Sequence, residues 1–310
     1  MKIIYIMGAG HIGSTILDIA ISNHLCLESL GEISKFHRFG WMPDDNRKCA
    51  CGLSVFECPF WMQVRKIWAD LMAYDDAERY INLQEQIEGS RYGWVRLLWN
   101  NFRLTSDFTE YMRGTEALYR AVQQVSGSPF LVDSSLSPRR AYGLTLNPRI
   151  DLYLIHLVRD GRGIIWSLKK PGKKTLTKVY KPAPSWRTSR YWITANLQSA
   201  WVFNHVKEDK RQMIRYEDFV TSPSTILDKI GTLVGEDLSG LVTGSTLVHP
   251  NQDRHTVGGN RIRMQKDIRI RPDFAWLEHL PEKDRKLYWG MAGWLARQYG
   301  YKKHQTDYGI

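Results

Sequence analysis

Four cysteines in 310 residues cannot staple a chain of this size into a disulfide framework. No apolar run approaches the roughly 18 residues of a membrane span. There is no low-complexity segment, no internal repeat and no long Lys/Arg tract, which argues against arrays, disordered tails and an extended nucleic-acid stripe. The apolar N-terminus is broken by Gly8, Gly10 and His11 and lacks a small-residue cleavage site. It therefore predicts a first strand and not a signal peptide, in a cytoplasmic protein. No stretch reads as a linker, so one domain over residues 1–310 is expected.

What is present is a hydrophobic content of 43%, enough for a substantial core, and aromatics at 12%, including 12 Trp and 15 Tyr. Lys and Arg number 43 against 32 Asp and Glu, a net +11 that favours anionic partners. Because the cations are scattered, a local anion pocket is at least as well supported as a nucleic-acid stripe, and no nucleic-acid partner is expected. Cys26 stands alone, whereas Cys49, Cys51 and Cys58 share "KCACGLSVFECPFW". A zinc site there needs a fourth ligand, for which His37 is nearest; the alternative is a metal-free knuckle with a redox-sensitive pair.

Along the chain, "KIIYIM", "PFLVD" (129–133), "IDLYLIHLV" (150–158) and "RQMIR" read as short buried strands alternating with helical patterns. This order predicts an α/β fold with a central parallel sheet flanked by helices. Residues 62–126 read as a helical insertion capping the ligand edge. Residues 248–272 form a basic, glycine-bearing loop of the kind that usually carries function.

"GAGHIGST" (8–15) poses the functional question. Gly8, Gly10 and Gly13 spell a dinucleotide fingerprint, with Glu28 at the distance of a ribose-binding acid. The same residues spell a phosphate loop with Ser14 in the lysine slot, and Asp133 is a possible magnesium ligand for a kinase or triphosphatase. Without that lysine, the loop's backbone amides at a helix N-terminus suit one phosphate-like group better than three.

"LVRDGRGIIWS" places Arg159 at a strand end and Ser167 eight positions later. Here the sequence resembles the sulfotransferases that use 3'-phosphoadenosine 5'-phosphosulfate (PAPS). "GEIS", "CACGLSVFECPFW", "VDSSLSPRRA", "LVRDGRG", "RYEDF" and "HTVGGNRIR" follow the order seen in bacterial members of that family. The resemblance implies a P-loop-like three-layer fold and sulfuryl transfer from PAPS, with no metal required. The acceptor would be a hydroxyl, or an amine, of a small molecule, natural product or glycan.

Carried over position by position, Gly10, His11, Ile12, Gly13, Ser14 and Thr15 would surround the 5'-phosphosulfate. Arg159 and Ser167 would bind the 3'-phosphate, and Tyr216 would lie near the adenine. His255, Gly259, Asn260, Arg261 and Arg263 would close over the donor. Glu32 would be the general base. His11 stands where a cation stabilising the leaving phosphate is usual, and Leu136 replaces a lysine after Asp133, Ser134 and Ser135. Arg139 or Arg140 is the expected substitute for that charge, and Ser134, Trp94 and Trp99 are candidate acceptor contacts. A protein that binds adenosine bisphosphate without catalysis is the remaining alternative.

Overall fold

The structure, a computed structural model, describes residues 1–41, 47–74, 76–170, 182–247, 254–265, 268–304 and 308. Its centre is a five-stranded parallel sheet of β1 (Lys2–Met7), β2 (Leu27–Gly31), β3 (Phe130–Leu136), β4 (Asp151–Val158) and β5 (Arg211–Arg215), in the order β2-β3-β1-β4-β5. Helix α1 (Ser14–Ile21) follows β1 and crosses over β3 to reach β2. The chain then runs through α2 (Phe36–Gly40), α3 (Pro59–Met72), α4 (Ala77–Gln84), α5 (Gly93–Phe102) and α6 (Ser106–Ser126) before β3. Helix α7 (Pro138–Thr145) precedes β4. Helices α8 (Gly161–Lys169) and α9 (Ser185–Phe203) lie between β4 and β5, and α10 (Tyr216–Thr221), α11 (Pro223–Val234), α12 (Trp276–His279) and α13 (Glu282–Gln298) complete the chain.

Strand alternation divides the core. Ile4 and Ile6 of β1 face α1, α8, α11 and α13, whereas Ile3, Tyr5 and Met7 face the insertion. The insertion's stripe of Trp61, Val64 and Trp68 on α3 meets Tyr111, Leu118 and Tyr119 of α6 at helical spacing, so these helices make the second flanking layer. Both faces of every central strand are thus covered. This explains why β1 and β4 read as continuous apolar runs and not as alternating ones.

The strand order bears directly on the glycine loop. In a dinucleotide-binding fold β2 lies beside β1; here β3 separates them. Glu28 is the second residue of β2, registered against Leu131, and so lies away from the carboxyl edge where a ribose would bind. The dehydrogenase alternative fails on topology. No described helix is long and apolar enough to cross a membrane.

Two acids on the apolar side carry a cost. Asp18 of α1 is fully buried and accepts hydrogen bonds from Ser22, Ser29 and Ser134, yet burial still raises its carboxyl to about 6. Glu217 accepts from the Asp160 amide (3.0 Å) and the Tyr301 hydroxyl (2.8 Å); burial, with Asp160 adding to it, raises its carboxyl to about 7. Both groups bind protons more tightly folded than unfolded. Stability from this source is therefore greatest at low pH and declines as pH rises from the unfolded carboxylate range towards 7. We expect the unfolding midpoint to fall between pH 5 and 8. Glu217→Gln should flatten that fall by up to about 3 kcal/mol, read by denaturant titration at several pH values. An unchanged pH profile would refute the assignment.

Candidate active site at the carboxyl edge of the sheet

The connection from β1 runs towards β2, whereas that from β4 runs towards β5. The strands stay paired, but their connections leave in opposite directions at the carboxyl ends, and this marks the crevice that is the usual ligand position in such sheets. The glycine loop (8–13) and Arg159 meet in it. Gly13, the N-cap of α1, has φ +86°, and a Cβ there would fall 2.5 Å from the Tyr216 ring, so only glycine fits. This N-cap supplies no side-chain acceptor and the first turn holds no acid, leaving the helix N-terminus suited to an anion from outside. Ile12 is buried in the core beneath, and Ser14 is also buried. His11 is exposed, with φ +66°.

Arg159 organises the opposite wall. Its Nη1 donates to the His11 carbonyl (3.0 Å), its Nη2 donates to the Asp273 carbonyl (2.7 Å), and the guanidinium stacks on Tyr216 at 4.3 Å. A Cβ at Gly163 would lie 3.1 Å from Arg159 Nε. Gly163 and Ser167 are four residues apart on α8, so the serine occupies the same helix face one turn on. Tyr216 backs Gly13 on one side and Arg159 on the other, and its hydroxyl accepts from the Asp273 amide (3.2 Å).

Within the basic loop, the described residues 254–265 pack against this edge. Val257 forms a parallel bridge with Gly31: the Glu32 amide donates to the Val257 carbonyl (2.7 Å), and the Val257 amide donates to Leu30 (3.1 Å). Gly31, at φ +64°, makes room, since a Cβ there would meet the Val257 carbonyl at 2.4 Å. Beyond the bridge, a Cβ at Gly258 would sit 3.4 Å from Glu32 Oε2, and one at Gly259 would sit 2.9 Å from Thr15 Oγ1. The Asn260 amide donates to that same hydroxyl (3.1 Å). Glu32 and the α1 N-terminus are therefore held on either side of one two-glycine turn. Arg261 is exposed at its end, while Arg263 is buried and donates to the Lys48 carbonyl (2.6 Å).

Several expected contacts lie elsewhere. Ser134 donates to Asp18 (2.6 Å) beneath the sheet and does not face the crevice. Arg140 is fully buried, bonded to Asp133, Glu88 and Tyr119; Arg139 donates to the carbonyls of Glu88 and Ser90. A guanidinium inside must find acceptors there, so Arg140 ties the insertion to β3, Arg139 ties it to α7, and neither replaces the missing lysine. The same pairing occupies Asp133, which also accepts from Tyr119 (2.5 Å) and the Ser135 amide (2.8 Å), and this weakens the case for a magnesium ligand. Ser135 acts at the site indirectly, accepting from the Ser34 amide (3.0 Å) just past Glu32. Trp94 packs against Tyr142 and Trp201, and Trp99 is 60% exposed.

Three residues escaped the sequence reading. The Tyr191 hydroxyl, on α9, accepts from the Gly10 amide (2.6 Å). Asp273 pairs with Arg159 (3.3 Å). Lys35, one helical turn after Glu32, pairs with its carboxylate; burial and then the charges of Arg47 and Arg263 push its ammonium below the usual lysine range. Only the last had a signal, the i,i+3 spacing of Glu32 and Lys35. Near this edge the cysteines also gather, and their neighbour is His255, not His37. His255 Nδ1 lies 3.2 Å from Cys58 Sγ and 3.7 Å from Cys49 Sγ. His37 is buried in an aromatic box of Phe36, Trp41, Trp68 and Tyr80, its ring 4.0 Å from that of Tyr80.

No protein-family model matches the chain, and no curated protein matches its sequence. Solved structures do. A sulfotransferase domain from the curacin biosynthetic pathway superimposes with a TM-score of 0.51 at 17% identity, over 97% of this chain and 98% of that one. Sulfotransferase STF9 from Mycobacterium avium gives 0.50 at 12% identity, over 96% and 77%. The chain therefore has the α/β fold of these sulfotransferases, a parallel sheet between two helical layers with its glycine loop at the carboxyl edge.

Proposed function

We propose that the protein is a PAPS-dependent sulfotransferase and that Glu32 is its general base. The observation that carries this reading is the two-glycine turn that holds Glu32 and Thr15 across from each other. A carboxylate is thereby fixed beside an uncapped helix N-terminus. In the proposed reaction the α1 amides, with Ser14 and Thr15, hold the 5'-phosphosulfate, and Arg159 with Ser167 holds the 3'-phosphate. Glu32 takes the proton of the acceptor hydroxyl as its oxygen attacks sulfur. The sulfur–oxygen bond to the phosphate breaks in line, and adenosine 3',5'-bisphosphate leaves. Among the described residues, His11 and Lys35 are the candidates proposed to meet the charge developing on the leaving phosphate. The net charge of +11 suits a polyanionic donor. The acceptor is a small molecule or glycan, and the whole chain acts as one cytoplasmic domain. A kinase or triphosphatase is disfavoured by Ser14 in the lysine slot and by the pairing of Asp133 with Arg140.

Calorimetric titration with adenosine 3',5'-bisphosphate tests the donor site. Arg159→Ala should weaken binding about 10- to 100-fold through loss of a charge-assisted fork. ATP–Mg²⁺ or NAD⁺ binding in place of the bisphosphate would sink the reading. Glu32→Gln should bind the bisphosphate normally while sulfation of a screened acceptor falls about 10²- to 10⁴-fold, the usual contribution of a positioned base. If Glu32→Gln turns over at the parental rate, the base lies elsewhere. Gly13→Ala forces a side chain into the Tyr216 ring, so bisphosphate binding should be lost even if the variant stays folded by circular dichroism.

A further inference from the structure

The cysteine cluster belongs to none of the chemistry above. Cys49, Cys51, Cys58 and His255 bring one ligand atom each to a common point, all within 4.8 Å of one another. The separations can be compared with what a tetrahedral ion demands. Zinc–sulfur bonds of about 2.3 Å and zinc–nitrogen bonds of about 2.05 Å require sulfurs about 3.8 Å apart and nitrogen–sulfur distances of about 3.6 Å. Cys51 and Cys58 sulfurs are 3.7 Å apart, and His255 Nδ1 stands 3.7 Å from Cys49 Sγ and 3.2 Å from Cys58 Sγ. The His255 ring is fixed by stacking on Phe60, 4.7 Å away and nearly parallel. Cys49 and Cys58 are buried and Cys51 is exposed, which leaves a route of entry.

We propose that Cys49, Cys51, Cys58 and His255 form a structural zinc site that fastens the donor-closing loop to the cysteine knuckle. Binding releases the thiol protons to solvent, and three thiolates with a neutral imidazole give a site of net −1 charge. Arg263, within electrostatic reach of Cys49, offsets that charge. All four positions are filled by protein, so the ion has no open site and takes no part in the chemistry. Its effect is mechanical. His255 precedes by two residues Val257, whose bridge to Gly31 sets the turn over Glu32 and Thr15. Two further bonds follow the same seam, from the Ala50 amide to the Thr256 carbonyl (3.3 Å) and from Arg263 to the Lys48 carbonyl (2.6 Å). Zinc would thus add to this seam, between segments about 200 residues apart, one coordinate bond from His255 to an ion held by three cysteines of the knuckle. This inference does not depend on the identity of the donor, because its reading is metal content.

The full chain, purified with a non-chelating reductant, should contain one zinc per molecule by elemental analysis. After zinc removal, cobalt(II) alone should give the intense absorption of tetrahedral thiolate coordination, and zinc should displace it. Cys49→Ser and Cys58→Ser should abolish stoichiometric zinc, and His255→Ala should weaken it by about 100-fold or more. Cys26→Ser, outside the cluster, should leave it unchanged. Hydrogen exchange at the Val257 amide should be at least about tenfold faster in the zinc-free protein. Should a cysteine variant fail to fold, the cobalt spectrum of the parent protein still decides. Substoichiometric zinc with freely titrating thiols, a Cys51–Cys58 disulfide that zinc does not displace under reductant, or equal zinc in the Cys58→Ser variant would each overturn the proposal.

Discussion

Two backbone hydrogen bonds, between Val257 and the end of β2, hold the carboxyl edge together. The Glu32 amide and the Leu30 carbonyl would otherwise be unpaired at the margin of the sheet, and the loop supplies both partners. From that short bridge everything else at the site takes its position. Glu32 is held by the peptide that makes the bond, Gly258 and Gly259 turn between Glu32 and Thr15, and His255 is carried to the cysteines. The contact joins residues more than 200 apart, so its loop-closure entropy has to be offset by the rest of the fold.

The basic residues divide by burial and not by position in a motif. Arg140 lies inside and is spent on Asp133, Glu88 and Tyr119, fixing the insertion against β3. Arg159, also buried, keeps one face on Tyr216 and bonds the backbone of the glycine loop, which puts its charge at the crevice. Lys35 lies half-exposed beside Glu32. A guanidinium thus lies at the crevice and an ammonium beside Glu32, although the phosphate loop has Ser14 and not a lysine and Leu136 follows Ser135.

Much of the fold was legible in advance. The apolar runs of β1 and β4 read as buried strands and residues 62–126 read as mostly helical, and the structure has β1 and β4 as strands and α3 to α6 in or at the edge of that stretch. The glycine loop was recognisable because a positive φ and a close approach at Gly13 tolerate no other residue. Arg139, Arg140 and Ser134 looked like site residues because they flank a strand end in a motif; nothing local tells which way a side chain turns from there. Tyr191 and Asp273 were invisible for the opposite reason. They carry no spacing signal and reach the site only through the docking of α9 and of the segment before α12.

The sequence alone therefore determined the elements, the parallel sheet and the glycine loop, because each follows from periodicity or from the stereochemistry of a single residue. The strand order, which removed the dinucleotide alternative, was decided by tertiary structure, since a crossover leaves no local trace. So was the fourth member of the cysteine cluster. His37 is nearer in sequence, but its ring is taken up by four aromatic neighbours, and the pairing of Val257 with β2 brings His255 across the fold instead. Proximity in a folded chain is set by which surfaces exclude water together, and only the assembled core specifies that.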